Sequence, residues 1–168
     1  MDTKLKQSLD NLVEHLQNMR ELYEQIEQTA NNKLKMMRSG DINGMESCTA
    51  REQFLTEQVS AIETSRKKTL QQIATVLGLA QTPKITALAQ EVEEPYQSRL
   101  MVLVQEVRQI AEKVRKINQV NAAVTHEVIN CFAQVQKKIK AQYCNIGLYD
   151  YTGHMRMTKN VNLLDAVG

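Results

Sequence analysis

Apolar residues recur at steps of three and four along most of this chain, and the places where the rhythm breaks mark its elements. From residue 3 to 38 the apolar positions are Leu5, Leu9, Leu12, Leu16, Met19, Tyr23, Ile26 and Ala30, with Glu14, Arg20, Glu24 and Glu27 between them. That spacing predicts one amphipathic helix, about 55 Å long at 1.5 Å per residue. The stretch from Arg38 to Gly44 interrupts it. Gly40 suits the left-handed position that closes a helix, and Asp41 then suits the N-cap of the next. The second helix is predicted over 42–78. Its stripe is Met45, Cys48, Leu55, Val59, Ile62, Ile73 and Val76, flanked by Leu70 and Leu77, with Gly78 as its stop. Thr82-Pro83 predicts a short helix over 83–92, because Pro is favoured at the first helical position. Pro95 breaks that helix or opens the next.

The third long helix, over 96–144, carries the clearest pattern. Leu100, Leu103, Val107, Ile110, Val114 and Ile117 take heptad a and d positions, and Asn121, Val124, Val128, Cys131 and Val135 continue the series. A flanking row holds Val104, Ala111, Asn118, Thr125, Phe132 and Ile139. Heptad spacing with a third apolar row suits a helix in a bundle or coiled coil, roughly 70 Å long. Past Gly147 the character changes. Tyr149-Asp150-Tyr151-Thr152-Gly153 reads as a turn, and Met155, Met157, Val161 and Leu163 alternate weakly, as in a short strand or an extended arm. The expected fold is all-α: an elongated antiparallel bundle of three long helices with one short helix and an extended C-terminal tail. It divides into a helical domain, 1–145, and a tail, 146–168.

Composition sharpens this. The 168 residues include only 6 Gly and 2 Pro, too few to punctuate a many-stranded fold. With 21 basic and 19 acidic residues the net charge is +2, which does not point to nucleic acid. No apolar run approaches the roughly 20 residues of a membrane span, and the first residues lack the apolar core of a signal peptide. Three scattered cysteines, Cys48, Cys131 and Cys144, argue against a disulfide framework and fit a reducing cytoplasm. They are expected to pack in or near the core.

Catalytic and metal constellations are missing from the pattern. There is no glycine-rich phosphate loop and no paired cysteine spacing. His15, His126 and His154 are far apart, and His126-Glu127 is not followed by a second histidine at the zincin spacing. No metal and no cofactor is expected, and the chain reads as a helical interaction protein rather than an enzyme. Two polar residues interrupt the third stripe. Asn118 and Asn121 sit among Val114, Ile117, Val124 and Val128. An Asn in such a seam sets register; it can equally bind a foreign segment, since a buried unpaired amide costs about 1–3 kcal/mol. Residues 94–144 also hold eight basic and four acidic side chains, while 1–38 hold six of each. Lys137, Lys138 and Lys140 cluster near the helix end, where cations are favourable.

Three stretches resemble one family, in order and along nearly the whole chain. They are Ser39-Gly40-Asp41-Ile42-Asn43-Gly44 with the Glu-rich helix ending Ile62-Glu63-Thr64-Ser65-Arg66; Ile117-Asn118-Gln119-Val120-Asn121, a paired-Asn motif; and Leu148-Tyr149-Asp150-Tyr151-Thr152-Gly153. The last looks like a Leu-Tyr-Gly-x-x-Gly tail, with Asp150 where Gly is common. Together they resemble the FlgN family of flagellar export chaperones. The resemblance implies a cytosolic, non-enzymatic type III secretion chaperone. It would bind the C-terminal helical segments of hook–filament junction (hook-associated) proteins, prevent premature assembly and deliver them to the flagellar export gate. The client-binding residues implied lie on the late third helix: Val114, Ile117, Asn118, Asn121, Val124, Thr125, Val128, Phe132, Val135 and Ile139. Tyr149 is implied as the export-gate contact. No nucleic acid and no membrane insertion belong to this picture, which leaves room for a weak homo-oligomer. The alternative is a structural coiled-coil scaffold that self-associates through the same apolar stripe.

Overall fold

The computed structural model describes residues 3–144, 148–149 and 155–156, with side chains as far as residue 141. Four helices follow one another: α1 (Thr3–Ser39), α2 (Ile42–Val76), α3 (Ile85–Glu91) and α4 (Tyr96–Cys144). Local chemistry sets their ends. Gly40 has φ +72° and Gly78 has φ +67°, and each closes a Schellman turn. At the first, Asp41 N–H donates to the Met36 carbonyl at 3.0 Å and Gly40 N–H to Met37 at 3.4 Å. At the second, Leu79 N–H donates to Ala74 at 2.9 Å and Gly78 N–H to Thr75 at 3.2 Å. Asp41 caps α2, its Oδ1 accepting from Gly44 N–H at 2.9 Å. The short helix begins later than Pro83 suggests. Lys84 stands at its N-cap, in extended conformation and without a side-chain cap bond.

The chain forms two compact units, Met1–Ala123 and Val124–Gly168. In the first, a large apolar cluster joins Leu9, Leu12, Val13 and Leu16 of α1 to Leu70 and Ile73 of α2, Leu88 and Ala89 of α3, and Tyr96, Leu100 and Leu103 of α4. A second cluster joins Leu22 and Ile26 to Leu55 and Val114. As numbers rise along α1 they fall along α2 and rise along α4. Thus α1 and α4 are parallel, and α2 runs antiparallel to both. The α3 segment supplies two fully buried residues, Leu88 and Ala89, to the first cluster. Two expectations are corrected. Val76, placed in the α2 stripe, is 40% exposed, whereas Leu70, placed at its edge, is buried. The buried face of α2 follows Leu70, Ile73 and Ala74, and Val76 in the last turn lies off it.

Polar clasps tie α1 to α4 along the first unit. The Tyr96 hydroxyl donates to Asp10 Oδ1 at 2.6 Å, Arg20 Nη1 to Glu106 Oε2 at 3.1 Å, and Asn121 Nδ2 to the Ala30 carbonyl at 2.9 Å. Between α1 and α2, Lys33 Nζ lies 2.8 Å from Glu52 Oε2. Asp10, accepting its bond, holds the Tyr96 phenol above its ordinary range, and burial adds to the effect. In the second unit α4 continues to Cys144. There Leu148–Tyr149 (β1) pairs antiparallel with Met155–Arg156 (β2), Leu148 opposite Arg156 and Tyr149 opposite Met155. The turn expected over 149–153 lies, past Tyr149, outside the described residues. The alternation expected at Met157, Val161 and Leu163 lies outside the described residues.

Candidate functional site

The continuous stripe of α4 meets two different environments. As far as Asn121 its positions are buried or half-buried. Val114 is 8% exposed and packs with Leu22, Ile26 and Leu55. Ile117 is half-buried, and Asn121 is buried at 5% exposure. In the second unit Val124 is half-buried, and every side chain over 125–141 is exposed. Val128, Phe132, Val135 and Ile139 repeat at steps of four, three and four, with exposures of 44%, 67%, 47% and 38%. Four large apolar residues on one helical face, all open to water, make a contiguous patch rather than scattered surface hydrophobics.

The candidate residues therefore fall into groups. Val114 and Asn121 are packed inside the first unit, and Ile117 and Val124 stand at intermediate depth. Asn118, Thr125, Val128, Phe132, Val135 and Ile139 are exposed. The two asparagines separate. Asn121 gives its amide to the Ala30 carbonyl of α1, which the helix ladder already uses; the bond ties the α1–α4 register at that level, as an Asn in a helical seam does. Asn118 faces solvent. Tyr149 lies in β1, where its backbone pairing with Met155 is described and its side chain is not.

Sequence reasoning treated the α4 stripe as one face and did not see the change at Asn121. A usable signal was helix length. At 49 residues α4 is longer than α1 with 37 and α2 with 35. Ile129, 60% exposed beside the stripe, was also missed. Cys131, expected to pack, is exposed and free, while Cys48 is half-buried. Cys131 sits past Asn121, where α4 contributes no buried side chain among the described residues.

Elsewhere in the first unit a shallow groove is lined by Leu16, Met19, Val104, Val107 and Ala111, with Arg66 and Glu63 at its rim. The two rim charges pair with each other, Arg66 Nε donating to Glu63 Oε2 at 2.7 Å. That bond, with the attraction of Arg66 and Lys67, holds the Glu63 carboxyl below the usual range. Among the described residues there is no group of His, Cys, Asp and Glu able to hold a metal ion, and no helix is long and apolar enough to cross a membrane. The chemistry this exposed face offers is apolar contact along a helix.

The family model described as FlgN protein matches residues 1–156. No curated protein and no solved structure matches the chain significantly.

Proposed function

Because the chain belongs to the FlgN family, a family of flagellar export chaperones, we propose that it binds the C-terminal helical segments of hook–filament junction proteins through the late part of α4. The observation that carries this is the open stripe of Val128, Phe132, Val135 and Ile139. A client helix that ends up packed against another subunit must keep its apolar face covered until secretion. An exposed helix face with i, i+4, i+7 anchors is the matching surface for an amphipathic helix. Thr125, exposed along the flanking row, supplies a polar contact at the edge of the same face. The client is held without covalent chemistry, and delivery to the export gate follows with Tyr149 as the gate contact.

The test is co-purification of the full chain with C-terminal segments of candidate junction proteins. The expected result is a complex of defined ratio that Val128→Asp abolishes while leaving the far-UV helical signal intact. Unchanged client affinity in folded Val128→Asp overturns the reading, and a stable self-oligomer that takes up no client favours a scaffold. Gate binding at full strength by Tyr149→Ala removes the assigned gate contact.

A further inference from the structure

The exposed part of α4 carries a charge pattern as well as an apolar one. Over 124–141 the only carboxylate is Glu127, and the amines are Lys137, Lys138 and Lys140. At about 100° per residue, Lys138 falls roughly 90° to one side of the Val128–Phe132–Val135–Ile139 stripe and Lys140 roughly 110° to the other. Lys137 points to the back. The two flanking amines are exposed, and among the described residues neither lies in an ion pair. A helix docked on the stripe at the usual 8–10 Å axis separation brings its own flanking residues within reach of both. Their alkyl stems would cover apolar edge while the charged heads stay hydrated.

We propose that the occupant of this face is an amphipathic helix with acidic residues flanking its apolar face at the end that lies against Lys138 and Lys140. The proposal rests on the helix-docking reading above and adds the chemistry of the partner. One acidic position, Glu127, stands at the opposite end of the stripe, so acidic flanks are favoured at the lysine end and carry no advantage at the other. Opposite charges on the flanks act on selection: they favour the right partner and repel a basic one.

The probes are three synthetic amphipathic helices with one shared Leu/Ile face and flanks of Glu, Lys or Gln, titrated against the full chain by fluorescence anisotropy. Two exposed ion pairs, each a modest gain, predict that the Glu-flanked peptide binds roughly tenfold tighter than the Lys-flanked one in dilute salt. At 1 M salt, where the screening length is about 3 Å, the preference should fall to less than about twofold. Lys138→Glu with Lys140→Glu should invert the order. Equal binding of Glu- and Lys-flanked peptides, with Phe132→Asp still abolishing both, overturns the charge proposal and leaves the docking face standing. No binding of any peptide overturns both, as does binding to phosphatidylserine vesicles in place of peptides.

Discussion

Truncating Phe132 to Ala separates the proposed docking role of α4 from its folding role. Phe132 is 67% exposed. A fully enclosed Phe buries on the order of 200 Å², so about 130 Å² is left for a partner to cover, worth about 3 kcal/mol at 25 cal/mol per Å². Ala keeps the Cβ share, so the expected loss on client binding is about 2–2.5 kcal/mol, roughly 30- to 70-fold in Kd. Folding should hardly respond. The side chain has little buried surface to lose, and Ala is the better helix former, so the change in unfolding free energy should stay within about 0.5 kcal/mol. The assay is a titration of a fluorescent client C-terminal segment, paired with urea unfolding followed at 222 nm. A folded Phe132→Ala protein that binds the client within twofold of the parent would refute the argument. So would a loss of stability above about 1 kcal/mol, which would mean that Phe132 is core after all.

The remaining predictions concern the first unit. Leu100→Ala, at a fully buried site, should lower stability by about 2–5 kcal/mol in urea unfolding; a change below 1 kcal/mol would place Leu100 outside the core. Asn121→Ala should cost about 1 kcal/mol through the lost bond to Ala30, while exposed Asn118→Ala stays within about 0.5 kcal/mol; equal costs would deny the pair their different roles. Tyr96→Phe should lose about 1 kcal/mol at neutral pH with the hydroxyl bond to Asp10. Since the Tyr96 pKa is raised in the fold, that stability is fully present below the ordinary phenol pKa of about 10 and lost as pH climbs through the raised value. Urea midpoints of parent and variant should therefore converge in alkali, and a gap that widens there would contradict the bond.

The four helices, their order and the ends set by Gly40, Asp41 and Gly78 were legible in the sequence because those features are local; the start of α3 was not. Gly40 and Gly78 can take positive φ, Asp41 can accept from Gly44 N–H, and the three–four rhythm of Leu9, Leu12, Leu16 and Met19 marks the buried side of α1 without reference to any other segment. The family motifs were legible for the same reason. What only the tertiary structure decided is which parts of equivalent stripes find a partner. Val114 and Val128 are the same residue at heptad-equivalent positions of one helix, yet the first is 8% exposed and the second 44%. Burial belongs to a pair of surfaces, and the partners of Val114, Leu22, Ile26 and Leu55, come from elements 59 to 92 residues away in sequence. Asn118 and Asn121 divide for the same reason: three residues apart on one helix, only Asn121 meets the Ala30 carbonyl of α1. The apolar period tells where a helix could be covered, and the reach of the neighbouring helices decides where it is.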